Sequence, residues 1–301
     1  MKNLAIVSDA TTANAITHGG VFHADEVMAT VILSHVMPQV NLARVFAVPE
    51  DTNAVVYDIG GGKFDHHQRG RNGCRKNGVL YSSVGLLWKE YGMKICDDMA
   101  QAERAFAMID KTLIQGIDAL DNGMDEAKSD IRVMSVSGLI SQFNPRWDEN
   151  TSSNDGFLKA VDFAASVFEN TLASVRSTVA AAAAVEAAYN EAVSENRNVI
   201  VFEKFVPWQD TLLRIDENSK ILFSVYPSVR GGWNWQTVPK AHDSFEPRVS
   251  SPAEWWGQPA EKIREVSGIA TANFVHPNGF LGACGTKEDA IAMANMAIAL
   301  A

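Results

Sequence analysis

A chain of 301 residues, 47% hydrophobic and 21% charged, is large enough for one big domain or two ordinary ones and for a substantial core. Its formal net charge of −10 excludes a generic nucleic-acid-coating protein, which needs a Lys/Arg surplus, but leaves room for a local basic groove and for a small phosphate ligand held through metal ions. Three scattered cysteines, Cys74, Cys96 and Cys284, exclude a disulfide framework and a Cys-type zinc finger, and they suit a cytoplasmic location. The first apolar stretch is too short for a signal-peptide core, and no run reaches the ~18 apolar residues of a membrane span.

In chain order, Ala15-Ile16-Thr17 reads as the end of a first strand. It leads into Thr17-His18-Gly19-Gly20-Val21-Phe22-His23-Ala24-Asp25-Glu26, and an apolar helical run follows over residues 27–36. This is strand, glycine loop, helix, with His18, His23 and Asp25 at a strand's C-terminal edge. Asp25 alone would serve as an N-cap, with Glu26 favouring the helix dipole. Two histidines beside an aspartate, in a chain with seven histidines, argue for more. His35 has no acidic partner nearby in sequence and reads as structural.

Residues 41–49 read as a second strand ending at Pro49, and residues 54–57 as a buried parallel strand. The latter runs into Asp58-Ile59-Gly60-Gly61-Gly62-Lys63-Phe64-Asp65-His66-His67-Gln68-Arg69. The glycines make a turn that lets backbone approach a neighbour closely. Asp58 falls at a strand's C-terminal end, where open α/β sheets bind ligands. Carboxylate beside imidazole suits Mn, Fe, Co or Zn; the bland alternative is a polar surface loop. Residues 70–78 are basic and glycine-rich. A solvated loop is the preferred reading, ahead of a lid bringing Arg69, Arg71, Arg75 or Lys76 to phosphates.

Helices are expected at 82–91 and 98–115. The second runs into Asp118 and Asp121, three apart and so on one face, before Asn122-Gly123 ends it. Acids near a helix C-terminus oppose the macrodipole, and such local conflicts mark functional positions; Asp121 ranks ahead of Asp118 as a further ligand. Residues 135–146 form a helical turn and polar loop. A long helix then runs from 156 to about 193, with an alanine-rich run at 179–185, and connects two domains.

Beyond it, strands are expected at 198–202, 221–226 and 231–238. Of Trp233, Trp235, Trp255 and Trp256, most read as the core of a small antiparallel sheet, in preference to base-stacking with Arg230, Lys240 and Arg248. Residues 274–288 form a glycine-rich turn feeding a closing helix, with His276, Thr286 and Lys287 beside it. That is an anion site without Walker spacing.

The N-terminal half thus offers His18, His23, Asp25, Asp58, Asp65, His66, His67, Asp118 and Asp121 near one sheet edge, more than one metal needs. Two ions about 3.5–4 Å apart, with Asp58 well placed to bridge them, would use such a set for in-line attack on a phosphate. Mixed ligation favours two Mn, with Zn, Fe, Co or Mg as competitors.

The first His-Gly-Gly motif, residues 58–69, residues 117–123 and residues 274–287 together resemble the DHH-superfamily phosphoesterases, which include RecJ-type exonucleases and family II pyrophosphatases. They more closely resemble the Myg branch, metal-dependent hydrolases linked to RNA exonuclease activity. The superfamily's first motif has a histidine and two aspartates. Here His18, His23 and Asp25 stand in those places, with imidazole for one carboxylate and one extra residue in the spacing. The resemblance implies that Asp58 bridges metals, His66 and Asp121 ligate, and His67 faces substrate. It also implies a C-terminal domain that closes over the site, with Arg230, His276, Gly279, Gly282 and Lys287 holding substrate; Arg69 is added from the neighbouring loop.

The expected fold is therefore α/β. It has a DHH-like N-terminal domain over 1–156 with a mainly parallel sheet and helices on both faces, a connector helix over 157–195, and a smaller α+β domain over 196–301. The expected activity is metal-dependent phosphodiester hydrolysis at nucleic-acid strand ends, RNA first, with Asp58, His66 and His67 catalytic. The alternatives are a hydrolase of short oligonucleotides or pyrophosphate, and a non-catalytic metal-binding protein. Oligomeric state is open, a homodimer included. The absence of HExxH argues against a metalloprotease.

Overall fold

Four short strands build the first sheet: β1 (Leu4–Ile6), β2 (Ala15–His18), β3 (Val40–Val45) and β4 (Val55–Val56). In the computed structural model, which describes residues 2–69, 72–124, 130–131, 133–242 and 244–301, they are all parallel and run in the order β1-β3-β2-β4. Ala15, Ile16 and Thr17 of β2 are all buried, as expected of a parallel strand covered on both faces. The expected second strand, read to Pro49, ends four residues early, at Val45. His18, the last residue of β2, pairs with Val45, the last residue of β3. β1 has no counterpart in the sequence reading, because a three-residue edge strand carries too little pattern.

Helix α1 (Ala24–Val36) crosses from β2 to β3 and is buried from Ala24 through Ser34. A helix apolar on every side belongs in a core. Its first turn is therefore interior, and Asp25 and Glu26 go with it at 0% exposure. Helix α2 (Ser83–Cys96) packs against α1. The expected 98–115 helix is three continuous pieces: α3 (Ala102–Ile109), a π-helical turn (Asp110–Ile114) and α4 (Gln115–Asp121). After α5 (Val136–Ser141) comes the long α6 (Ser153–Ser194). The core joins Val27, Met28, Val31 and Ile32 of α1 to Leu87 and Trp88 of α2 and to Phe157 and Phe168 of α6. Each such side chain contributes ~1.5–3 kcal/mol by leaving water.

The chain divides into two compact units, Met1–Val179 and Ala180–Ala301, and the division falls inside α6. The second unit contains β5 (Val199–Val201), α7 (Gln209–Ile215), β6 (Phe223–Pro227), β7 (Trp233–Thr237), α8 (Ala260–Ser267), β8 (Ala272–Val275), β9 (Leu281–Cys284) and α9 (Lys287–Ala299). Its sheet runs β5-β6-β7-β9-β8. It is mixed, because β5 and β6 are parallel and the other pairs antiparallel. One face packs Phe223, Val225 and Trp235 with Trp255, Ile263 and Met293. The other packs Ile200, Tyr226 and Val238 with Leu212 and with Val185 and Ala192 of α6. Trp235 and Trp255 thus fill a core. Among the described residues, no helix is long and apolar enough to cross a membrane.

Candidate active site

Parallel pairing places the first two candidates side by side. Ile16 of β2 is opposite Val56 of β4, and two residues further along the chain stand His18, at the end of β2, and Asp58, in the turn just past β4. His18 Nε2 lies 3.2 Å from Asp58 Oδ2. Asp58 is buried and has φ +59, a left-handed conformation that costs a non-glycine residue ~1–2 kcal/mol. Its backbone N donates to Phe64 O at 3.1 Å, and Ser83 Oγ at the start of α2 donates to its Oδ1 at 3.0 Å. Gly60 and Gly61 continue at positive φ, so the chain turns back and delivers Asp65, His66 and His67.

The first turn of α1 supplies the second wall. Glu26 accepts the His23 backbone N–H on both oxygens at 2.9 Å, and its Oε1 lies 3.0 Å from His18 Nε2. The third wall is the end of α4, where Asp121 Oδ2 lies 2.9 Å from His66 Nε2. His66 Nδ1 in turn lies 3.3 Å from Asp58 Oδ1 and 3.9 Å from Asp25 Oδ2. His67 is exposed, with its Nδ1 3.0 Å from Asp65 Oδ1. Asp65 also accepts the backbone N–H groups of Gly61 and His67, so it shapes the loop that presents both histidines.

The cluster is short of positive charge. Asp25 is fully buried, and neither of its oxygens meets a hydrogen-bond donor. Burial pushes its carboxyl well above the usual range, and the Asp58 and Glu26 charges add to this. Asp58, then Glu26, raises His18 to about 10. Burial alone would lower His66, but Asp121 carries it upward. Among the described residues, potential ligand atoms within 4.8 Å of one another form four overlapping groups: Asp58-Asp65-His66-His67, His18-His23-Glu26, His23-Asp25-Asp121 and Asp25-Glu26-Asp58. Orphaned buried carboxylate oxygens beside imidazoles are the donor set of a divalent cation, and the residues present fit one.

Two residues here escaped the sequence reading. Glu26 registers in sequence only as a helix-dipole acid, since its full burial follows from packing around α1. Ser83 carries no pattern at all. Asp118 stands apart from the cluster. Its Oδ1 accepts Ser82 N, Ser82 Oγ and Gly85 N, and its Oδ2 pairs with Arg75 Nη1 at 2.6 Å. It anchors the start of α2. Arg75, a lid candidate, is held by Asp110 and Asp118. Arg69 and Lys76 are exposed, and Arg71 lies outside the described residues.

The remaining candidates belong to the second unit. Arg230 is exposed in the turn before β7. His276 Nδ1 accepts the Asn278 N–H at 3.1 Å, and its ring lies 4.4 Å from that of Phe280. Gly279 has φ +70, and Gly282 sits on β9 opposite Trp235. Lys287 starts α9, pairs with Glu203 and lies over the Trp233 ring.

Fold and cluster define an α/β protein with a buried carboxylate–imidazole centre suited to a divalent metal. The chain belongs to the MYG1_exonuc family, described as uncharacterised protein family UPF0160, whose model matches residues 14–298. It is 30% identical to the MYG1 protein of Saccharomyces cerevisiae, over 94% of this chain and 95% of the yeast protein. It is 29% identical to the MYG1 exonuclease of Homo sapiens, over 94% of this chain and 85% of that protein. The MYG1 protein of Dictyostelium discoideum is 28% identical, over 92% of this chain and 94% of its own length. No solved structure matches the chain.

Proposed function

We propose that this chain is a metal-dependent phosphodiester hydrolase that shortens nucleic acid from a strand end, with RNA as the leading polymer. The observation that carries the reading is the fully buried Asp25, both oxygens without a donor, beside Asp58 and His66. Such an arrangement is stable only with a cation or a proton in it. The mammalian relatives named exonuclease, and the resemblance to DHH-type phosphoesterases, support the choice of reaction.

His18, His23, Asp25, Asp58, His66 and Asp121 would hold two divalent ions, Mn ahead of Zn, Fe, Co or Mg, with Asp58 between them. Bound ions of this kind neutralise phosphate charge and lower the pKa of water. The chain's own groups do the positioning. Ser83 and the Phe64 carbonyl fix Asp58. Asp65 orients the exposed His67 through Nδ1, which leaves Nε2 for the substrate phosphate. Residues 1–156 would carry the chemistry and 157–195 connect to 196–301. There Arg230, His276, Lys287 and the backbone at Gly279 and Gly282 would meet the substrate, with Arg69 added from the first domain. A cytoplasmic location fits the three free cysteines.

The test is turnover on end-labelled RNA, end-labelled single-stranded DNA, dinucleotides and pyrophosphate, with Mn, Mg, Co or no metal after chelation, beside Asp58→Asn. Stepwise shortening that needs both metal and Asp58 supports the reading. Cleavage of dinucleotide or pyrophosphate alone moves the function to small phosphoesters. Stoichiometric metal without any turnover favours a binding protein.

A further inference from the structure

The second unit contains a cavity of about 590 Å³ that none of the assignments above uses. Its walls come from the start of α7, from β7, from the loop after β7 and from the β8–β9 turn. The residues that give it chemical character are Gln209, Gln236, His242, Phe245, Asn278 and Phe280. Among the described residues no carboxylate, lysine or arginine lines it. Its volume is that of a small-ligand site, and its described lining offers two phenyl rings, three carboxamides and an imidazole, His242, whose Nδ1 lies 3.6 Å from Asp210 Oδ1. Among the described residues a phosphate would find no lysine or arginine there, and the Asp210 carboxylate beside His242 would repel it. A planar heteroaromatic ring with donors and acceptors on its edge would find phenyl rings to stack on and amide partners.

Two details make this a built site. Gln236 is not free to turn: Tyr226 Oη donates to its Oε1 at 2.5 Å, so the amide group is oriented and its NH2 is left to donate. Phe245 is fully exposed and Phe280 partly so, although stacked phenyl rings gain most when they are covered. The loop that carries Phe245 is tied down at its base by the Pro239–Pro247 bridge and by Lys240 N donating to Glu246 O at 2.9 Å.

We infer that this cavity is a nucleobase-binding subsite, in which Phe245 and Phe280 stack on a base and the Gln236 NH2 donates to an acceptor on its edge. The inference rests on the nucleic-acid reading above for the identity of the ligand. It adds a site in the second unit that recognises bases, not phosphates.

The test uses the full chain, chelated so that no turnover intrudes. AMP, GMP, CMP and UMP are titrated against ribose 5-phosphate as the control, with affinity and saturation transfer to base protons read by NMR. The expected result is transfer to base protons and no measurable binding of ribose 5-phosphate. Phe245→Ala and Phe280→Ala should each weaken binding about five- to hundredfold, the range of base–aromatic stacking. Phe245 is exposed, so its loss leaves the core intact. Gln236→Glu keeps the acceptor for Tyr226 but loses the amide donor, and should also weaken binding. Equal binding of ribose 5-phosphate, or nucleotide binding unchanged in both phenylalanine variants, overturns the inference. The two readings fail separately. A chain that binds mononucleotides through Phe245 and Phe280 but shortens no polymer retains the pocket and loses the exonuclease reading. Polymer shortening with nucleotide binding indifferent to both variants does the reverse.

Discussion

His18, the last residue of β2, and Asp58, two residues past the end of the neighbouring parallel strand β4, meet with Nε2 and Oδ2 3.2 Å apart. A one-residue slip of β4 against β2 would send one side chain to the opposite face of the sheet. The register of β2 and β4 thus brings His18 and the start of the Asp58 turn together. The left-handed turn at Asp58, φ +59, then sends the chain back so that His66 closes the same centre. Strain of this kind persists where neighbours over-determine the backbone, and here Phe64 O and Ser83 Oγ do so.

Asp25 gives the first prediction. A fully buried carboxylate without a donor opposes folding when charged. Asp25→Asn should therefore raise the melting temperature of the metal-free protein, by about 2–6 °C for a gain of ~1–2 kcal/mol. Saturating Mn should reverse the order, since metal stabilises the wild type by ~2.7 kcal/mol at a hundredfold excess over its dissociation constant and the variant by less. Calorimetry with and without chelator reads both signs. A less stable metal-free variant would refute the account.

Gly85 gives the second. Alanine inside a helix normally gains ~0.8–1 kcal/mol over glycine. Here a Cβ would lie 2.0 Å from Asp118 Oδ2. Gly85→Ala should instead lose about 2–4 kcal/mol in urea unfolding. Combined with Asp118→Ala the loss should fall well short of additive; strict additivity would mean the two residues do not meet.

The sequence spoke clearly where chemistry and period coincide. His18, Asp25, Asp58, His66 and Asp121 were legible because polar groups at strand and helix ends stand out from apolar runs. Glu26 was not, because its burial depends on α1 being enclosed on all sides, a property of the packing. Asp118 and Asp121 share a helix face, and no local rule says which meets Ser82 and which meets His66. Strand β9 was hidden by composition. Leu281-Gly282-Ala283-Cys284 has no β-branched residue, and its glycine reads as a turn when the structure uses it as a packing gap.

Asp118 also gives a pH prediction. Burial raises its carboxyl to about 6 against the pull of Arg75 and the Ser82 donors. A folded pKa above the unfolded value means the folded state holds the proton more tightly. The stabilisation is therefore full below about pH 4 and is lost as pH rises through about 6. Relative to Asp118→Asn, the wild type should gain up to about 3 kcal/mol between pH 7 and pH 4. Urea unfolding of both proteins at a series of pH values measures the difference. A gap that narrows on acidification would show that the Arg75 ion pair, and not burial, governs this carboxylate.

Gly282 separates a packing role from a ligand role. It pairs with Trp235 across β7 and β9, and a Cβ built on it would lie 2.3 Å from the indole ring. An indole laid over a cross-strand glycine covers the backbone and fills the space a side chain would take. Gly282→Ala must push Trp235 off its seat in the core, for a loss of about 1–3 kcal/mol. Tryptophan fluorescence during urea unfolding should show an earlier transition. A Gly282→Ala/Trp235→Phe pair should recover part of that loss, because the smaller ring leaves room for the methyl group. Unchanged stability in Gly282→Ala together with lost nucleotide binding would transfer this glycine from the core to the substrate.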